Sequence, residues 1–536
     1  MNQSHLLKKG IVGLSCFLMA GAAFAEERQP ALYDFEYSAD SIGWQQSENQ
    51  SQLFRNHVEQ AGRAALSYGY RGGELRSFNE AGHEHVADAR GEAYFRLSSR
   101  TSVYGLASFA SQREVSVSGS AFLDERLHAF DLVLKDPSNT GDRKKETYLI
   151  RAAIGHQIDR RFSIGAFFDY KGINLARTKD LRHTNKILDM TISPGMSWQI
   201  NSKLTTGINY SYNRFVEGVK FSQYGTTDKQ HFTLIDFGAF NGKQELFDQN
   251  GYTEKNALNP YVEQVHRIGW QVEYKPTARL SLFNEFVWGT GDGYFGKKAS
   301  SSIQYTRHET GVWKERLSAV YRGDRLTQRL ELKAENRNLT NYENSWRTET
   351  SSSGNSVIEY YGKNRVGEKK HTGVSGVYSI EEKGDYGVPR WRISVAGEYG
   401  KREILSILYP YYRTQNLQLY RQYIGALRSY TTGTLQWVFK GGIGFSGGNG
   451  DPYKDDVYVT PSTSEGAPAS GDQQLKQEYE YLTAKKLEPE AGMRVTLPVG
   501  KVSYYAGIDY RTTFLPGKSD LSGNRHQIGC SLGINF

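Results

Sequence analysis

The chain has 536 residues, a formal net charge of +8 and two cysteines. A basic excess that small over such a length excludes a nucleic-acid-binding protein held by phosphate contacts, so no nucleic acid is expected as a partner. Mean hydropathy is −0.61, and beyond the N-terminus no apolar stretch is long enough for a transmembrane helix.

At the N-terminus, Lys8 and Lys9 precede an apolar run from Ile11 to Ala20. Ala23-Phe24-Ala25 then supplies small residues at both positions of an A-x-A site, with Glu26-Glu27 beyond. The pattern predicts a secretory signal peptide over 1–25, cleaved after Ala25. A membrane anchor is the alternative, but the run is too short to span a bilayer. A lipoprotein site at Cys16 is another, but Gly13 stands where a leucine-like residue belongs. Cleavage leaves Cys530 alone, so no internal disulfide is expected. It also removes Lys8 and Lys9, taking the charge from +8 to about +6.

Residues 26–60 precede the first strand predicted, Ala65 to Arg71, and carry Tyr33, Phe35, Tyr37, Trp44 and Phe54. So many aromatics suit a segment that tucks into the periplasmic mouth and partly blocks the lumen, or that docks a partner, with a short helix over 52–62. It is too short for the plug of an energised receptor, so a complete TonB-dependent transporter is excluded.

From there to the C-terminus the chain alternates with period 2, as barrel strands must. Phe162, Ile164, Ala166, Phe168 and Tyr170 oppose Ser163, Gly165, Phe167, Asp169 and Lys171. Leu188, Met190, Ile192, Pro194, Met196 and Trp198 oppose Asp189, Thr191, Ser193, Gly195 and Ser197. Val502, Tyr504, Ala506, Ile508 and Tyr510 oppose Ser503, Tyr505, Gly507, Asp509 and Arg511. Aromatic residues reach 13%, with 36 tyrosines, and 56 glycines against 13 prolines leave long strands uninterrupted. The last strand puts Ile528, Cys530, Leu532, Ile534 and Phe536 on one face. Leu532, Ile534 and Phe536 resemble the C-terminal signal that directs outer-membrane barrels to the assembly machinery.

Tight polar turns are predicted near Arg100, Asp159-Arg160, Asn201-Ser202, Pro276-Thr277, Gly323-Asp324, Gly384-Asp385, Thr432-Gly433 and Gly500. Longer external loops are predicted near 112–144, 222–257, 338–366 and 447–474. The fold class is therefore all-β: a transmembrane antiparallel up-and-down barrel of roughly 18 strands (16–18), with short periplasmic turns and long extracellular loops. Bulges are expected near 302–322 and 411–430. A soluble sandwich would also alternate, but it does not explain a short–long rhythm kept over the whole chain. The domains are 1–25, signal; 26–60, periplasmic or lumenal segment; 61–536, barrel.

Faces opposite the apolar ones line the lumen. They carry Arg90, Glu92 and Arg96; Arg151, Asp169 and Lys171; Arg267 and Glu273. Later strands add Arg329, Glu331, Lys333 and Glu335; Arg392 and Glu398; Glu488, Glu490 and Arg494; Asp509 and Arg511. A charge-selective pore shows rings of one sign. Interleaved signs point to pairing across the wall, either as a stabilising network or around a ligand.

Two catalytic patterns carry no weight. Gly444-Phe445-Ser446-Gly447-Gly448 matches G-x-S-x-G, which works only where a strand turns sharply into a helix; a glycine-rich external loop is expected instead. Gly291, Gly293 and Gly296 have dinucleotide-binding spacing with no helix to follow. His83 and His85 share a strand face near the external rim, but two imidazoles without a third ligand do not make a metal site. No metal, cofactor or enzymatic activity is expected.

Several stretches resemble an uncharacterised outer-membrane β-barrel family of Bacteroidota, known as a domain of unknown function. They are Ala61-Gly62, Leu66-Ser67-Tyr68-Gly69-Tyr70, Gly72-Gly73-Glu74-Leu75-Arg76, Gly91-Glu92-Ala93-Tyr94 and Val103-Tyr104-Gly105. Asp136-Pro137, Phe168-Asp169-Tyr170, Arg177-Thr178-Lys179-Asp180 and Ser193-Pro194-Gly195-Met196 continue the likeness. The resemblance implies a barrel in contact with outer-membrane lipid and lipopolysaccharide, and it transfers no catalytic residue. It also implies a neighbouring TonB-dependent transporter or surface lipoprotein, with this chain an accessory uptake component. The leading expectation is a channel or ligand-binding uptake component. An adhesion or assembly scaffold acting through the loops comes second, and an outer-membrane hydrolase third.

Overall fold

The computed structural model describes residues 35–38 and 43–536, apart from 57, 137, 226–227, 250, 300–301, 351–355, 385–386, 464 and 518–520. The signal-peptide and Cys16 readings fall outside the described residues.

In chain order the strands are β1 (Gln60–Gly73), β2 (His83–Ser98), β3 (Thr101–Val117), β4 (Asp131–Leu134), β5 (Gly141–Gln157), β6 (Phe162–Arg177), β7 (Arg182–Gln199) and β8 (Leu204–Ser222). Then come β9 (Phe232–Gly238), β10 (Asn241–Leu246), β11 (Leu258–Tyr274), β12 (Leu280–Gly296), β13 (Gln304–Arg322), β14 (Leu326–Thr350) and β15 (Ser356–Glu382). The rest are β16 (Trp391–Leu408), β17 (Tyr411–Thr432), β18 (Leu435–Val457), β19 (Ala469–Ser470), β20 (Lys486–Val499), β21 (Val502–Thr513) and β22 (Arg525–Asn535).

All but β4, β9, β10 and β19 form one 18-stranded antiparallel sheet, and β1 pairs with β22 to close it. Closure leaves no sheet edge, the condition for crossing a bilayer with strands. Ile164, Ile192, Met196 and Trp198 are exposed, whereas Ser163, Ser193 and Ser197 are buried. Polar residues inside and isoleucines outside invert the pattern of a water-soluble protein, so the outer surface is an apolar belt. Strands are joined by short links at one end, such as those between β2 and β3 and between β20 and β21. At the other end the connections range from two residues, between β16 and β17, to 35, between β8 and β11.

Those longer connections depart from the expectation of solvated loops. Three of them fold inward. They contribute β4, β9, β10 and β19, which pair as a second, four-stranded sheet, and the helix Asp472–Thr483. The reason lies in runs such as Phe130-Asp131-Leu132-Val133-Leu134 and Leu234-Ile235-Asp236-Phe237, too apolar to remain in water. The expected loop over 338–366 is instead the end of a hairpin, because β14 and β15 continue to Thr350 and from Ser356. Likewise β18 runs through 447–457, so Ser446 lies within a strand and not before an external loop. Register shifts occur at Phe295/Gly296 opposite the start of β13, and at Thr414/Asn416 in β17.

Candidate functional site: the lumen

The inward faces place the expected charges as a network of pairs. Glu92, nearly fully buried, is met by Arg63, by Arg90 at 3.1 Å and by the Tyr104 hydroxyl at 2.8 Å. Arg151 and Asp169 form a two-pronged pair, each bond 3.1 Å. Glu381 holds both Arg329 and Arg392, at 2.9 and 2.7 Å. Glu331 meets Lys333, Glu490 meets Arg511 and Tyr423, and Asp509 meets Lys440. Arg494 lies 3.9 Å from the centroid of the Tyr505 ring, and Glu488 receives Arg421 and Ser446. Lys171 and Glu398 are exposed.

The remaining expected residues point to something composition does not disclose. Arg96 donates to the carbonyls of Phe54 and Asn56, Arg267 pairs with Glu48 at 2.8 Å, and Glu273 pairs with Arg55 at 3.4 Å. These partners belong to the segment ahead of β1, which enters the lumen as two 3-10 turns, Gly43–Gln46 and Gln50–Arg55. Asn49 donates to the carbonyls of Met196 and Ile208 and to the Gln271 side chain; Ser51 bonds Ser197 at 2.8 Å. Trp44 packs edge-on against Phe283, at 5.4 Å. Farther up the chain, Phe35 lies under Arg63 of β1 and Tyr37 under Arg392 of β16, so the segment reaches across the short-link end.

A bare groove seats it. Gly155, Gly165 and Gly195 are register neighbours across β5, β6 and β7. A Cβ at Gly155 would lie 2.6 Å from the Gln50 carbonyl oxygen, at Gly165 2.4 Å from the Ser51 nitrogen, and at Gly195 2.4 Å from Asn49. Any side chain there would occupy the space of the segment's main chain. Gly165 and Gly195 stood on the inward faces in the alternation. What the pattern lacked was any sign of what they receive.

At the long-connection end a folded cap packs against the wall of the lumen. Phe122, Phe130, Leu132, Ile235 and Phe237 from the folded-in connections pack on Ile187, Phe215, Tyr261, Phe295, Leu339 and Val366 of the wall. The cap is tied around its rim: Lys369 donates to the carbonyl of His128 at 3.0 Å, Arg177 to that of Asn139, and Arg413 to Asp472 at 2.7 Å. Inside it, His128 stacks on Phe122 at 4.1 Å and its Nε2 lies 3.0 Å from Glu217. The strand alternation gave no sign of this apolar core.

Between segment and cap lies a cavity of about 710 Å³, bounded by Gln46 and Glu48 below and by Leu482 and Lys486 above. A second, of about 350 Å³, lies by Trp44, Arg55 and Lys275 at the short-link end.

The set-aside motifs take the following places. Ser446 donates to Glu488 at 3.0 Å. His83 and His85 pair with the outward Tyr70 and Tyr68, as His266 does with Tyr210 and His526 with Tyr510. These pairs belong to the aromatic girdle of the outer surface. No group of three or more metal-ligating side chains forms among the described residues.

Residues 51–536 match the model of a family of unknown function, DUF6850. The chain belongs to that family. No curated protein matches this DUF6850 chain. Among solved structures it is similar to the ferric preacinetobactin receptor of Acinetobacter baumannii, with 7% identity, 89% of this chain and 81% of that chain covered, and a TM-score of 0.38. A ferric enterobactin receptor variant of Pseudomonas aeruginosa gives 11%, 89%, 80% and 0.38. The toluene transporter of Ralstonia pickettii gives 12%, 91%, 92% and 0.29. Likenesses this distant carry no argument about function.

Proposed function

We propose that this chain is an integral barrel of the bacterial outer membrane that takes up a small polar ligand through a lumen its own chain holds shut. The apolar belt supports the location. One observation carries the uptake reading: the Gly155–Gly165–Gly195 groove, shaped to seat Asn49–Leu53. A barrel needing only a filled interior would fill it with wall side chains. Here the wall is stripped so that a separate, polar-bonded segment can lie in it, an arrangement suited to release.

Export by residues 1–25, insertion through Leu532, Ile534 and Phe536, the short links as periplasmic turns and an origin in Bacteroidota belong to the same proposal. So does an accessory place beside a TonB-dependent transporter or surface lipoprotein. The reading assigns no catalytic residue.

The test is single-channel recording of the refolded barrel in a planar bilayer. Wild type is expected to be silent or nearly so. Gly165→Leu, which denies Ser51 its seat, is expected to give reproducible steps. A folded Gly165→Leu barrel and a folded barrel lacking residues 26–56 that both stay silent would overturn the uptake reading.

A scaffold role is the second reading, favoured by the β14–β15 hairpin. Its strands are 25 and 27 residues long, where about 9–11 cross a bilayer. Shortening that hairpin would then abolish a protein contact and spare uptake.

A further inference from the structure

We infer that the larger cavity is a binding site for short zwitterionic peptides, held by their charged termini and their main chain. This rests on the reading of the lumen as a ligand path.

Most charges around the cavity are already satisfied: Arg267 by Glu48, Arg316 by Glu285, Arg421 by Glu488. Four ionisable side chains are not. Lys314, Glu335, His371 and Glu398 line the cavity, are exposed to it, and have no ion pair or hydrogen bond among the described residues. Lys314 and Glu335 are register partners across β13 and β14 and still do not pair. A cavity that presents a free cation and free carboxylates together suits a ligand carrying both signs. An anion or a cation alone would meet an unmatched like charge.

The wall between these groups is bare. Gly373 and Gly400 face each other across β15 and β16. A Cβ at Gly373 would meet nothing nearer than 3.4 Å, and one at Gly400 nothing nearer than 3.8 Å. The groove on β5–β7 shows what such a stretch accepts in this barrel, for there it carries the main chain of Gln50 and Ser51 at van der Waals distance. The aromatic residues of this lining, Tyr399 and Tyr420, are one position out of phase with the inward Glu398 and Arg421. Their rings therefore offer no inward platform of the kind a sugar or aromatic ligand stacks on.

Size and span agree. The volume, about 710 Å³, lies within the roughly 300–1,000 Å³ of small-ligand pockets. Lys314 on β13 and Glu398 on β16 are three strands apart, about 14 Å at roughly 4.8 Å per strand. An extended peptide of about four residues covers that distance. Its ammonium group would meet Glu398 and its carboxylate Lys314, with Glu335 and His371 beside the main chain.

The test is calorimetric titration of tetra-alanine into the folded mature barrel, wild type and Gly165→Leu. N-acetyl-tetra-alanine amide and maltotriose serve as comparators. Tetra-alanine is expected to bind, and the blocked peptide at least about tenfold more weakly, the cost of about 1.4 kcal/mol. Glu398→Gln and Lys314→Met should each weaken binding about tenfold, and Gly400→Leu should abolish it. Failure of tetra-alanine to bind either barrel, equal binding of the blocked peptide, or binding of maltotriose alone would each overturn the inference. Conductance separates the two readings. A conducting Gly165→Leu barrel that tetra-alanine neither binds nor blocks removes the peptide site and leaves uptake standing. If Gly165→Leu and the barrel lacking residues 26–56 are both silent, uptake is removed, and titration into wild type still decides the peptide site.

Discussion

The ring of Phe536 lies over Gly62, and the two residues exchange backbone hydrogen bonds of 2.8 and 3.0 Å where the barrel closes on itself. A Cβ on Gly62 would fall 2.4 Å from the ring. Gly62→Val is therefore expected to destabilise the seam by about 1–3 kcal/mol through overpacking. Phe536→Ala, which removes the ring and leaves the backbone bonds, should in the double variant recover part of that loss. Urea unfolding in lipid vesicles measures both, and full additivity of the two changes would contradict the contact.

Glu92 gathers Arg63, Arg90 and Tyr104 in the lumen, with only 3% of its side chain exposed. Its removal takes from Arg63 and Arg90 the buried carboxylate they share. Glu92→Ala should cost about 3–5 kcal/mol, the range for breaking one side of a buried pair. Combining it with Arg63→Met should recover part of the loss. A loss below about 1 kcal/mol, as for a surface pair, would show the site to be well hydrated.

Asp131 and Asp236 are register partners across β4 and β9 in the cap, both buried. Burial, with the Glu125 carboxylate nearby, pushes the Asp131 carboxyl up to about 7, and burial raises Asp236 as well; Lys369 opposes both. The folded cap thus holds a proton that the unfolded chain, near pKa 3.9, has released. Cap stability should therefore fall as pH rises from about 4 through 7 and level off above that. Asp131→Asn keeps the acceptor for Ser120 and Leu132. It should flatten this slope and make the cap the more stable of the two at pH 8. Hydrogen exchange of cap amides, corrected for intrinsic rates, reads the effect; parallel profiles for variant and wild type would contradict it.

Phe130 is fully buried and packs edge-on against Phe295 at 5.1 Å. Phe130→Ala should cost about 3–5 kcal/mol of cap stability through the cavity it leaves. Strands β20–β22 should keep their protection, because they contribute no residue to the cap's apolar core. Exchange rates rising in residues 118–135 while β20–β22 stay unchanged would bear this out; uniform loosening would not.

The barrel was legible in the alternation because each strand must satisfy lipid on one face, a local and strict requirement. Ser163 against Ile164 and Ser197 against Trp198 are enough to read it. The contacts made inside the lumen were not legible, because they join residues far apart in the chain. Asn49 meets Ile208 and Gln271, and Phe122 meets Phe295. Polar Asn49-Gln50-Ser51-Gln52 has no periodicity to announce a buried insert. The connection around Phe130 was read by its length and its polar flanks, and its apolar runs were passed over. Arg96, Arg267 and Glu273 meet partners in the N-terminal segment that were out of reach of any strand-by-strand reading.

Residues 56–59 alone join the inserted segment to β1. A segment that leaves the groove therefore stays on the same molecule, at an effective concentration on the order of millimolar. Its return is a first-order event, indifferent to how many barrels a membrane holds. A soluble competitor at micromolar levels cannot outpace it. Under the proposed gating, whatever keeps the lumen open has to hold the tether itself or fill the seat it vacates, and each barrel closes on its own clock once that hold is released.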